Sequence, residues 1–154
     1  MRVIAGTAGG IKLKTPRGGA VRPTSGLVKE ALFNILGPRL VGAVFWDLFA
    51  GSGAIGIEAL SRGAAAALFV EQERAHLSYI EENLSRTKLA ARARLIRRDV
   101  MLALPQLARE KEQADLIFTD PPYQETTVPE LLEAADRYRL LRPGGLIVLE
   151  LFAR

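Results

Sequence analysis

The chain has no cysteine, which excludes a disulfide framework and any thiolate metal site. It has a single histidine, His76, so a metal centre built from imidazoles is excluded with it. No stretch approaches the roughly 18 consecutive apolar residues of a membrane-spanning helix, and the first residues lack the basic-then-apolar layout of a signal peptide. These absences point to a cytoplasmic protein without membrane contact. Acidic residues are scarce at one end. Residues 1–40 carry Arg2, Lys12, Lys14, Arg17, Arg22, Lys29 and Arg39 against Glu30 alone. The net charge of the whole chain is only +4, so the remainder is slightly acidic. A basic, glycine-rich beginning on an acidic body suits contact with a polyanion; the alternative is a solvated arm with no partner. The 154 residues fit one domain that buries roughly 70% of its unfolded surface.

Residues 1–21 hold short apolar pieces, Val3-Ile4, Ile11 and Leu13, set among glycines. Lys12-Leu13-Lys14 alternates as a strand does, so a small hairpin and a loose arm both fit. A helical pattern follows, with Val28, Ala31, Leu32 and Ile35 on one stripe, Thr24 or Ser25 as N-cap and Gly37-Pro38 as the stop. From residue 43 strands and helices alternate. Strands are expected at 43–49, 65–70, 93–98, 115–118 and 146–151, and helices at 54–62, 73–88, 100–111 and 128–141. Pro105 should interrupt or bend the third of those helices. Arg92, Arg94, Arg97 and Arg98 mark the third strand as an edge protected by charge. The whole is an α/β chain with a doubly wound, mostly parallel sheet, and ligands in such sheets bind outside the carboxyl ends of the strands. Asp47, Glu71, Asp99 and Asp120 all fall at or just past such ends.

Gly51-Ser52-Gly53-Ala54-Ile55-Gly56 is G-x-G-x-x-G between a strand and a helix, with Glu71 at the distance that suits ribose hydroxyls. This spacing also fits a nicotinamide or flavin oxidoreductase. Asp47 counts against that reading, because its charge would repel a pyrophosphate, whereas an ammonium group would be drawn to it. S-adenosylmethionine has that ammonium, a ribose diol, an adenine and no phosphate. A P-loop is excluded, since no Gly-Lys-Ser/Thr follows the glycines. Thr119-Asp120-Pro121-Pro122-Tyr123 follows a short apolar run. A residue before proline is pushed to extended geometry, and the two prolines fix their own φ. The corner therefore presents a carboxylate, bare carbonyls and a flat ring, suited to gripping an amino group on a planar heterocycle. Taken alone it is as readily an ordinary turn. Glu58 stands four residues before Arg62, which reads as a surface ion pair. His76 reads as packed or exposed rather than catalytic, and Trp46 as core.

Asp-Leu-Phe-Ala-Gly-Ser-Gly at 47–53 and Asp-Pro-Pro-Tyr at 120–123 resemble the two main motifs of S-adenosylmethionine-dependent amino-methyltransferases. Arg22-Pro23-Thr24, Glu30-Ala31-Leu32-Phe33-Asn34-Ile35-Leu36 and Glu58-Ala59-Leu60-Ser61-Arg62-Gly63-Ala64 narrow the resemblance to the RsmD family, over residues 1 to about 151. That family methylates guanine N2 in small-subunit ribosomal RNA. The resemblance implies a Rossmann-like class I methyltransferase fold, with a basic arm or hairpin at 1–21 and the methyltransferase domain at 22–154. It implies S-adenosylmethionine held by Asp47, Gly51 and Gly53 at the methionine end, Glu71 at the ribose and Asp99 at the adenine. Asp120 and the Pro121 carbonyl would accept from the target amine and Tyr123 would stack on the base. Arg22, Thr24 and Pro122 would contact the substrate, ribosomal RNA or the small subunit, and the protein would act as a monomer without a metal.

Two departures from the family pattern stand out. Ser25-Gly26-Leu27 replaces the charged run that usually follows Arg-Pro-Thr. The chain also stops at Arg154, so the sheet is expected to lack its last two strands and to leave Leu146–Leu149 as an apolar edge, unless another segment covers it. A DNA adenine-N6 methyltransferase and a non-catalytic RNA-binding module are the competing readings.

Overall fold

The computed structural model describes residues 1–16, 25–122 and 124–151. Its centre is a sheet of five strands: β1 (Val44–Leu48), β2 (Ala66–Val70), β3 (Ala93–Ile96), β4 (Ala114–Thr119) and β5 (Leu141–Leu149). The order is β3-β2-β1-β4-β5, and every pairing is parallel. The helices are α1 (Gly26–Leu36), α2 (Ala54–Ser61), α3 (Arg74–Thr87), α4 (Val100–Arg109) and α5 (Gln124–Arg137), with a 3₁₀ turn at Gly37–Leu40.

Side-chain alternation along the strands divides the core into two faces. Trp46, Leu48, Leu68, Val70 and Ile117 point to the side covered by α4 and α5. Phe69 and Ala67 point to the other side, under α2, α3 and the N-terminal segment. Phe45, Leu116 and Phe118 share that second side and pack under α1 and α2. The chain leaves β1 for β2 and β3 on one flank and returns to β4 on the other. The carboxyl ends of β1 and β4 therefore form the switch point of the sheet.

Residues 1–14 form a hairpin rather than a loose arm. Arg2 bridges Lys12 in antiparallel fashion, Val3 N–H donates to Ile11 O and Gly10 N–H to Val3 O. Val3, Ala8 and Leu13 are buried against α2 and α3. Gly6 has φ +85° and lies so close to the end of α2 that a Cβ there would overlap the Ser61 carbonyl. The expected division at residue 21 falls outside the described residues.

Several expectations need correction. Ser25 caps α1, accepting from Val28 N–H at 3.1 Å, but the buried stripe is Lys29, Leu32, Phe33 and Leu36. Val28 and Ile35 face outward, Ile35 at 81% exposure. The helix is rotated because Lys29 is drawn inside, its Nζ donating to the Arg2 carbonyl at 2.7 Å and meeting Glu58 Oε1 at 3.0 Å. Glu58 is fully buried, not on the surface. It does pair with Arg62 at 2.8 Å, and it also accepts from Ile4 and Ala5 N–H at 2.8 and 3.1 Å.

Helix α4 runs unbroken through Pro105. Helix α5 begins at Gln124, four residues before the expected start, and runs through Pro129. Strand β5 begins at Leu141 and absorbs Pro143-Gly144-Gly145 through a register shift opposite Ala114 and Leu116. A Cβ on Gly145 would lie 2.9 Å from the Asp115 carbonyl, so only glycine passes there. Strand β3 is an edge, as its charges suggested, and β5 is the other edge, with Leu146 at 37% exposure.

Candidate functional site

The carboxyl rim of the sheet gathers three acids. Asp47 lies within β1, Glu71 directly follows β2, and Asp120 directly follows β4. In register, Leu48 pairs with Val70 on one side and with Thr119 on the other. Glu71 and Asp120 are thus the next residues on the strands flanking β1. The burial of Asp47 is almost complete, at 1% exposure. Burial pushes its carboxyl well above the usual range; the hydrogen bond from Gly56 N–H opposes this, and the nearby charges of Glu71 and Asp120 add to it. A buried carboxylate with two acids beside it has a strong need for a cation. Asp47 has no ion-pair partner among the described residues.

Between β1 and α2 the backbone makes a tight crossing. Phe49, Gly51 and Gly53 all have positive φ, at 58°, 58° and 81°. Phe49 is the costly member, since bulky side chains rarely adopt that region. Gly51 N–H donates to Glu71 Oε1 at 2.8 Å, and Glu71 Oε2 accepts from Glu73 N–H at 2.8 Å. Glu71 thereby fixes the glycine loop against the end of β2, and each oxygen keeps a further lone pair for a ligand. A Cβ built on Gly51 would meet nothing within 4 Å, so the loop has open space on that side. Asp47 Oδ2 accepts from Gly56 N–H at 3.0 Å, which ties the strand to the first turn of α2. Gly56 itself permits close packing of that helix on the sheet, since a Cβ there would lie 2.3 Å from the Phe69 ring.

Asp99 is exposed and caps α4, its Oδ1 accepting from Met101 N–H at 2.8 Å. It follows β3, whose last carbonyl, on Ile96, accepts from Glu71 N–H at 3.1 Å. Asp120 is half-buried, Pro121 buried and Pro122 exposed. Thr119, just before them, is fully buried and its hydroxyl has no hydrogen-bond partner among the described residues. Arg22, Thr24 and Tyr123 lie outside the described residues. His76 is partly buried, with Nδ1 3.6 Å from Glu71 Oε2. Trp46 is core.

Two side chains of this region escaped the sequence reading. Asn83 on α3 is fully buried and hydrogen-bonds both Lys14 and Ser52; its signal was a polar residue on the stripe of Ile80 and Leu84. Glu58 stood among Ile57, Ala59 and Leu60, an apolar setting that itself indicated burial. A cavity of about 360 Å³, lined in part by Val44, Trp46, Ala66, Ala93 and Leu107, opens at the amino ends of the strands. It lies opposite the acidic rim, so cavity volume does not mark the site. Among the described residues no group of His, Cys, Asp or Glu is placed to hold a metal, and no helix is long and apolar enough to cross a membrane.

Residues 1–153 match the family model described as conserved hypothetical protein 95. The chain is 41% identical to YlbH of Bacillus subtilis (strain 168), a candidate rRNA methyltransferase by name, over 97% of this chain and 82% of that protein. It is 37% identical to ribosomal RNA small subunit methyltransferase D of Escherichia coli (strain K12), over 97% of this chain and 74% of the relative. A solved structure, of a hypothetical protein from Thermus thermophilus, superposes with a TM-score of 0.84 at 35% identity, covering 97% of this chain and 84% of that one. With a family model matched nearly end to end and relatives this similar over most of their own length, the chain belongs to the RsmD family.

Proposed function

We propose that the protein transfers a methyl group from S-adenosylmethionine to the N2 amine of a guanine in small-subunit ribosomal RNA, acting in the cytoplasm as a monomer. The observation that carries the reading is the convergence of Asp47, Glu71 and Asp120 at the switch point of the sheet, beside a glycine loop with open space at Gly51. A donor set of carboxylates, two of them buried and Asp120 half-buried, fits a cationic ligand with hydroxyl groups and disfavours a pyrophosphate. S-adenosylmethionine, when bound, supplies a methyl group made electrophilic by its sulfonium. Asp47 and the glycine loop would hold its amino-acid end, Glu71 its ribose and Asp99 its adenine.

The chain's own contribution to the chemistry lies at Asp120 and Pro121. The lone pair of an aromatic amine is delocalised into its ring, which makes the nitrogen a poor nucleophile. Acceptors on both N–H groups favour the pyramidal form and aim the lone pair. Asp120 and the Pro121 carbonyl are the proposed acceptors, which amounts to positioning with electrostatic stabilisation. Tyr123 would stack on the base, which must leave its own stack to reach the rim. Arg22, Thr24 and Pro122 are proposed substrate contacts.

RNA as the substrate is supported by the names of the relatives and by the hairpin, whose Arg2, Lys12 and Lys14 are exposed. Lys29 drops out of that basic set, because it is buried against Glu58. The test is transfer of a labelled methyl group to small-subunit RNA by the wild type and by Asp120→Ala. Loss of transfer with binding of S-adenosylhomocysteine retained is expected; undiminished transfer would sink the role of Asp120.

A further inference from the structure

Asn83 is fully buried in α3, where a carboxamide must satisfy two donor hydrogens and an acceptor oxygen. It does so with main chain from two distant segments. Its Oδ1 accepts from Lys14 N–H at 2.7 Å, and its Nδ2 donates to the Lys14 carbonyl at 2.8 Å and to the Ser52 carbonyl at 3.0 Å. Lys14 ends the basic hairpin, shortly before the stretch that contains Arg22 and Thr24. Ser52 is the middle residue of the glycine loop, between the two positive-φ glycines. One rigid planar group therefore joins the hairpin to the loop.

We propose that Asn83 is a positioning residue for methyl transfer, locking the hairpin to the glycine loop so that RNA seating and methyl-donor binding strengthen each other. This rests on the donor and substrate assigned above. The carboxamide plane fixes its oxygen and nitrogen relative to each other. A shift of Lys14 turns the plane and moves the donor aimed at Ser52, and a shift of Ser52 acts back on Lys14. A ligand that orders one segment therefore lowers the ordering cost of the other, and the effect must be equal in both directions. The second bond to Lys14 matters here, because a single contact would let the hairpin pivot about it.

The test measures the dissociation constant of S-adenosylhomocysteine by titration calorimetry, with the full chain alone and with saturating small-subunit RNA. In the wild type RNA should tighten binding by about 5-fold or more, the lower end of ordinary coupling between sites. Asn83→Leu keeps the volume and loses all three bonds, and should bring that ratio to about one. Lys14→Pro removes the amide that Oδ1 holds and, with it, the side chain that pairs with Glu82 at 3.2 Å. It is therefore compared with Lys14→Gln, which loses the same cation and keeps the amide; the ratio should fall in Lys14→Pro and not in Lys14→Gln. A merely structural Asn83 would lower the melting temperature and leave the ratio intact. A wild-type ratio of one, a ratio preserved in Asn83→Leu and Lys14→Pro, or an equal fall in Lys14→Pro and Lys14→Gln overturns the proposal while the methyl-donor reading stands. No binding of S-adenosylhomocysteine by the wild type overturns both.

Discussion

Removing the Glu58 carboxylate should strand a buried charge. Lys29 and Glu58 are both at 0% exposure, with Nζ and Oε1 3.0 Å apart. Burial pulls the Lys29 ammonium below its ordinary value, opposed by its hydrogen bond and attraction to Glu58. In Glu58→Ala only the Arg2 carbonyl would remain as a partner among the described residues. Breaking a buried ion pair from one side costs about 3–5 kcal/mol. The amides of Ile4 and Ala5 lose their acceptor as well, and an orphaned buried donor costs about 1–3 kcal/mol. These costs do not add, because the hairpin can lift and let water reach both the amides and the lysine. A loss of about 4 kcal/mol is therefore expected, close to the ion-pair figure alone. In urea this moves the unfolding midpoint down by about 2 M.

The double variant Glu58→Leu with Lys29→Met replaces the pair by apolar side chains and should recover at least half of that loss. A single variant within about 1 kcal/mol of the wild type would refute the reasoning, as would a double variant no more stable than Glu58→Ala. The pH dependence gives an independent check. Burial raises the Glu58 pKa, but the hydrogen bonds from Arg62, Ile4, Ala5 and Lys29 outweigh it, so the folded value lies below the ordinary 4.5. The unfolded state then binds the proton first as pH falls. The contribution is whole above pH 4.5 and drains away as pH drops through the folded value.

Two further outcomes follow from the rim and the helix above it. The raised Asp47 pKa means that the protein without its methyl donor holds a proton there longer than an ordinary aspartate does. A cationic ligand favours the ionised form, so affinity for S-adenosylmethionine should tighten as pH rises through the folded Asp47 value, read by calorimetry across a pH series; a flat profile would contradict the placing of Asp47. Gly56→Ala puts a methyl 2.3 Å from the Phe69 ring and should cost about 1–3 kcal/mol in urea unfolding, with Phe69→Leu restoring part of it; a neutral Gly56→Ala would show that α2 moves freely on the sheet.

Much of the fold was legible because each strand carried its own marker. The apolar runs ending at Asp47, Glu71 and Asp120 fixed three parallel strands and placed the rim at one end of the sheet. The arginines around β3 identified an edge. What stayed hidden depended on partners distant in sequence. The stripe of α1 was assigned by hydrophobicity, which put Val28 and Ile35 inside and Lys29 outside; a lysine goes inward only when a buried carboxylate awaits it, and Glu58 lies on another helix. Asn83 could not be singled out from the sequence, since its partners are main-chain groups 69 and 31 residues away. The last strand was expected only from residue 146, after Pro143-Gly144-Gly145, yet that stretch lies inside β5. The turn at Gly51-Ser52-Gly53 was legible from its glycines, but its anchoring by the Glu71 carboxylate required coordinates.

The central claim is methyl transfer to guanine N2, and mass analysis of nucleosides is its most direct test. Small-subunit RNA and assembled particles would each be treated with the wild type and labelled S-adenosylmethionine, then digested. The account predicts label in N2-methylguanosine from the wild type and none from Asp120→Ala. Label in N6-methyladenosine, or no transfer to either substrate despite donor binding, would contradict it.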